Sequence, residues 1–99
     1  MTIVECLLLR NFSKNFPEWA LSGGSLEPSE VDALRHVVVS TLNHMVDQRL
    51  IGNFQIRLVD AKGVHLMIQD AYARHQCTEF SYSLDSLREL CLVAEVMLS

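Results

Sequence analysis

Ninety-nine residues, 49% of them hydrophobic, are enough for one ordinary core and too few for two. The net charge is −4, with 12 acids against 8 bases scattered singly from Arg10 to Arg88, and this argues against a nucleic-acid partner, which is held through clustered Lys and Arg. No apolar run reaches the roughly 18 to 20 residues of a membrane span, and "MTIVECLLLRNF" lacks the basic start and small-residue cleavage site of a secretory signal, so the expected location is cytoplasmic.

Residues 1–26 read as an N-terminal segment and a connector. In "TIVECLLLR", Ile3, Glu5, Leu7 and Leu9 alternate with Val4, Cys6 and Leu8, leaving apolar residues on both faces. That pattern suits a buried strand, and a short buried helix fits nearly as well. The stretch "NFSKNFPEWALSGGSLEP" holds both prolines and two of the four glycines, with Phe12, Phe16 and Trp19 between them, and reads as a connector that packs.

Residues 27–51 carry the 3.6-residue period of a long helix. Pro28 suits the first helical position, Glu30 favours the positive end of the dipole, and Gly52 marks a stop. Val31, Leu34, Val38, Leu42 and Met45 form the apolar stripe, while Asp32, His36, Ser40, Asn43, His44 and Asp47 fall on the opposite face.

Residues 53–83 alternate with period two. Phe54, Ile56 and Leu58 oppose Gln55 and Arg57, and Val64, Leu66 and Ile68 oppose His65, Met67 and Gln69. Asp60-Ala61-Lys62-Gly63 between them has the chemistry of a type I turn closed by a left-handed glycine, hence a hairpin. After a polar turn at residues 70 to 74, "QCTEFSYS" supplies a third strand, with Thr78, Phe80 and Tyr82 against Cys77, Glu79 and Ser81. Residues 84–98 form a C-terminal helix capped by Ser83 or Asp85. The expected fold is a two-layer α+β domain, an antiparallel sheet of three or four strands packed by two helices.

The densest reactive group is "RHQC". In a strand, His75 and Cys77 are two apart and share a face, and the remaining metal ligands would come from His65 across the sheet or Glu79 two residues on. Two neighbouring ligands are half a site, and an exposed strand face has the same pattern without any metal. A cysteine nucleophile with a histidine base is the enzymatic version, but no helix start follows Cys77 to lower its pKa or hold an oxyanion. The three cysteines, Cys6, Cys77 and Cys91, are odd in number and irregularly spaced, so neither a disulfide framework nor a CxxC zinc knuckle is written. Cys6 and Cys91 sit in apolar stripes as core thiols.

On the long helix, His36 and His44 are eight residues apart, roughly 12 Å along the axis, too far to grip one ion. Asp32 with His36, or His44 with Asp47, make surface hydrogen bonds as readily as half-sites. "LSGGS" precedes a helix but has no strand before it and no lysine after it, unlike a phosphate loop. No cofactor is implied.

The order helix, three strands, helix over residues 28 to 98 resembles the double-stranded-RNA-binding domain in topology. Those domains share a lysine cluster opening their second helix. Here that position reads "SLDSLREL", so RNA binding is not carried over.

What stands out is surplus apolar surface on the last helix. Leu84, Leu87, Leu90, Cys91, Ala94, Met97 and Leu98 cover one sheet face, leaving Leu92, Val93 and Val96 for something else. The expected function is contact with other proteins, as a homodimer, adaptor or inhibitor without catalysis. The interface residues are then Leu92, Val93 and Val96, unless "TIVECLLLR" folds over that face. A small Cys/His enzyme or metal-dependent regulator built on His65, His75, Cys77 and Glu79, and a nucleic-acid-binding module, are the alternatives.

Overall fold

The computed structural model describes residues 2–16, 26–73 and 75–97, with the helical course alone for 94–97. Among the described residues, three helices and three strands follow in the order α1 (Ile3–Asn15), α2 (Pro28–Asp47), β1 (Asn53–Val59), β2 (Gly63–Gln69), β3 (Cys77–Ser83) and α3 (Leu84–Met97). The strands pair antiparallel in the order β1-β2-β3. This is the α+β arrangement expected, with the helices packed on one side of the sheet.

The N-terminal segment is a helix and not a strand. Thr2 caps it, its hydroxyl accepting from the Glu5 N–H at 3.1 Å. Leu8, Leu9 and Phe12 then fall inside at helical spacing, all fully buried. The helix also runs through residues 11–15, which looked like connector. There Asn11 and Asn15 turn their side-chain amides back to the carbonyls of Leu7 and Asn11. Phe16 ends it, stacked on Phe12 with ring centroids 4.9 Å apart. Trp19 and the "LSGGS" stretch lie outside the described residues.

α2 opens with Pro28 in its first turn and a reciprocal pair of bonds between Glu27 and Glu30. Leu34, Val38, Leu42 and Met45 are fully buried. Each contributes roughly 1.5 to 3 kcal/mol by leaving water. The helix stops at Asp47, short of the expected residue 51. The Leu50 N–H bonds back to the Met45 carbonyl (2.9 Å) and the Arg49 N–H to that of Val46 (3.0 Å), a Schellman closure. It requires a left-handed residue, and Arg49 takes that conformation at φ 61° where glycine is usual. The early stop turns Ile51 into the core, 2% exposed.

At the β1–β2 turn Asp60 Oδ1 accepts from the N–H groups of Lys62 (2.8 Å) and Gly63 (3.0 Å). Gly63 is not left-handed, contrary to the sequence reading. It is required by crowding, since a Cβ there would lie 2.1 Å from the Tyr82 carbonyl oxygen.

β1 also departs from strict alternation. Its register slips between Ile56 and Leu58, so that Leu58 stands opposite His65 and Val59 opposite Val64. This bulge puts Leu58 on the outer face, 52% exposed, and Val59 in the core in its place, 2% exposed. β2 alternates as expected, with Val64, Leu66 and Ile68 buried. Ser83 caps α3, its Oγ accepting from the Ser86 N–H at 3.2 Å.

Candidate functional site

α1 and α3 pack together over the sheet. Leu84, Leu87 and Cys91 face inward and are buried. The N-terminal segment therefore does cover part of α3, but not its outer side. Leu92 stays 65% exposed and Val93 46%. The side chains of Ala94, Val96 and Met97, and Leu98 as a whole, lie outside the described residues. Ile3, at the start of α1, is a further large apolar side chain in water, 81% exposed. Arg88 is nearly buried on α3, its guanidinium 3.0 Å from the Asp85 carboxylate one helical turn earlier.

The sheet face away from the helices carries Gln55, Arg57, Leu58, His65, Met67, Gln69, Cys77, Glu79 and Ser81. On it Glu79 is flanked on two sides, with Arg57 Nη2 at 3.7 Å from one carboxylate oxygen and His65 Nε2 at 3.7 Å from the other, distances of loose polar neighbours and not of hydrogen bonds. All three side chains are well exposed, so each pair adds at most roughly 1 kcal/mol. Regular alternation already puts Arg57 on the face that His65 occupies, and the bulge adds Leu58 to it.

Of the residues considered as metal ligands, His65 and Glu79 meet and the others do not join them. Cys77 stands opposite Gln69, whereas His65 stands opposite Ser81. That is four ladder positions apart, about 13 Å at 3.3 Å per residue. His75 is not in the strand at all, which begins at Cys77. It belongs to the turn held by Asp70, whose Oδ1 accepts from the N–H groups of Tyr72 and Ala73, both at 2.8 Å. Those donors, first Ala73 and then Tyr72, with nearby His75, hold the Asp70 carboxyl below the ordinary aspartate value. Among the described residues no three His, Cys, Asp or Glu side chains come close enough to share a metal ion.

The polar face of α2 points outward, with His36, His44, Asp32 and Asp47 all exposed. Thr41, one turn before His44, is 2% exposed, and its hydroxyl has no hydrogen-bond partner among the described residues. Cys6 and Cys91 are buried, and Cys77 is the exposed thiol.

One partly buried contact had no signature in the sequence. The Tyr82 hydroxyl, on the helix side of β3, donates to the Glu5 carboxylate of α1 across 77 positions of chain. Burial, followed by the bond to Glu5 and the charges of Glu5 and Cys91, pushes the Tyr82 hydroxyl well above the ordinary tyrosine range. Thr2 followed by Glu5, a helix-capping spacing, was the available signal for α1. Nothing local pairs Glu5 with Tyr82.

No described helix is long and apolar enough to cross a membrane. Neither a family model, nor a curated protein, nor a solved structure matches the chain.

Proposed function

We propose that the protein works by contact, associating with a second copy of itself and serving as an adaptor or inhibitor toward another protein, without catalysis of its own. The observation that carries this reading is the outer side of α3. α1 packs against another side of α3 and does not fold over this one, so Leu92 and Val93 remain in water. Large apolar side chains left side by side on a helix are typical of association surfaces, and a symmetric copy is the commonest supplier of cover. We place the protein in the cytoplasm, a compartment that keeps an exposed thiol such as that of Cys77 reduced.

Sedimentation of the double variant Leu92→Glu, Val93→Glu tests the surface. Both positions are exposed, so folding should survive while the dimer dissociates. A variant that stays dimeric removes α3 from the interface.

A further inference from the structure

We infer that a second copy of this chain pairs along the free edge of β3, joining two three-stranded sheets into one continuous antiparallel sheet. This deepens the self-association reading and rests on it.

A three-stranded sheet has two edges, and unpaired edges are blunted in proteins that stay monomeric. The edge of β1 is blunted in three ways. Its register breaks at the bulge between Ile56 and Leu58. The Phe54 N–H, which points outward because its opposite number Ile68 bonds toward β3, is taken by Asn53 Oδ1 at 2.8 Å. The outward carbonyl of Val59 accepts from Arg35 Nη2 of α2 at 3.1 Å.

β3 has none of these devices. At the two ends of its ladder the Asp70 N–H donates to the Gln76 carbonyl (3.0 Å) and the Leu84 N–H to that of Lys62 (2.9 Å). Bonded and non-bonded pairs alternate between those ends in an unbroken register from Gly63↔Ser83 to Gln69↔Cys77. Thr78, Phe80 and Tyr82 therefore spend their N–H and C=O groups on β2, while Cys77, Glu79 and Ser81 turn theirs outward. Among the described residues nothing caps those outward groups. The strand contains no proline, lysine or bulge, and its side chains at 77, 78, 79, 81 and 83 are exposed.

The edge is also complementary to itself. Outward-turned residues must pair with one another, which restricts a symmetric antiparallel match to a few registers. Centring it on Glu79 would set two carboxylates face to face, which is unfavourable. Centring it on Phe80 uses the whole of Cys77–Ser83, sets Glu79 opposite Ser81 of the second copy and Phe80 opposite its own equivalent, and opposes no like charges. Arg57 beside each Glu79 offsets the negative charge near the seam.

Amide hydrogen exchange read residue by residue on the unmodified protein tests this. On passing from dilute monomer to concentrated dimer, the N–H groups of Glu79 and Ser81 should slow by about tenfold or more, while those of Phe80 and Tyr82, already bonded to β2, should hardly change. The variant Ser81→Pro removes one outward donor at a position where an edge strand accepts proline, and should be a folded monomer. A dimer in which Glu79 and Ser81 exchange as fast as in the monomer, or a folded Ser81→Pro variant that still dimerises, overturns the edge pairing and leaves the α3 surface standing. A chain that is monomeric at every concentration overturns both. Protection in a complex whose mass is not the dimer's assigns the edge to a foreign strand, and that also overturns the pairing. If Ser81→Pro does not fold, the exchange on the unmodified chain decides.

Discussion

Replacing Tyr82 with Phe keeps the ring that packs against Phe80, 6.2 Å between centroids, and removes only the hydroxyl that donates to Glu5. That bond ties the N-terminal helix to the sheet. Hydrogen bonds to a charged group are worth roughly 1.5 to 3 kcal/mol. Because this one is only partly buried, we expect Tyr82→Phe to cost about 1 to 2 kcal/mol, a fall of about 5 to 15 °C in Tm for a domain of this size. The same bond sets a pH signature. The folded state keeps a proton that an unfolded tyrosine releases near pH 10, so the unfolded chain binds fewer protons and stability falls as pH rises past about 10. Below that value the contribution is fully present. The slope is at most about 1.4 kcal/mol per pH unit and less for a partly exposed hydroxyl. Urea denaturation of wild type and Tyr82→Phe, followed by circular dichroism between pH 7 and 11, isolates the contribution by difference. The gap should be constant at neutral pH and shrink above pH 10. A gap that is zero at pH 7, or that widens with alkali, would refute the assignment.

Arg49→Gly should stabilise the chain by about 0.5 to 1 kcal/mol in the same assay, because relief of left-handed strain outweighs the added freedom of the unfolded chain; a loss would mean that the exposed arginine side chain makes a contact of greater worth. Thr41→Val removes a buried hydroxyl that has no partner among the described residues while keeping the shape, and thermal melting should register no loss and a gain of up to about 1 kcal/mol. His36→Gln or His44→Gln should shift stability by less than roughly 0.5 kcal/mol, as exposed positions do; a loss above about 2 kcal/mol would place the imidazole in a paired, buried setting.

The elements that were legible had a period to read. α2 and β2 put their apolar residues inside as written, since Leu34, Val38 and Leu42 follow one helical stripe and Val64, Leu66 and Ile68 one strand face. α1 was ambiguous because Ile3 to Leu9 is apolar in nearly every position, which erases the phase that separates a strand from a helix; the cap at Thr2 was the better guide. The bulge at Leu58 and the early stop at Asp47 are answers to tertiary packing, one bringing Val59 inside and the other Ile51, and neither leaves a local mark. For the candidate site, the exposed apolar side chains of α3 could be expected from counting faces. The open edge of β3 could not, because an edge is a property of strand order. The histidine and cysteine cluster dispersed for the same kind of reason, with His75 left in a turn and Cys77 four ladder positions from His65.

Molar mass by light scattering across a hundredfold range of protein concentration tests self-association most directly. A mass approaching about 22 kDa, twice the chain's 11.2 kDa, that falls on dilution is the expected result. A constant 11.2 kDa at every concentration would contradict it.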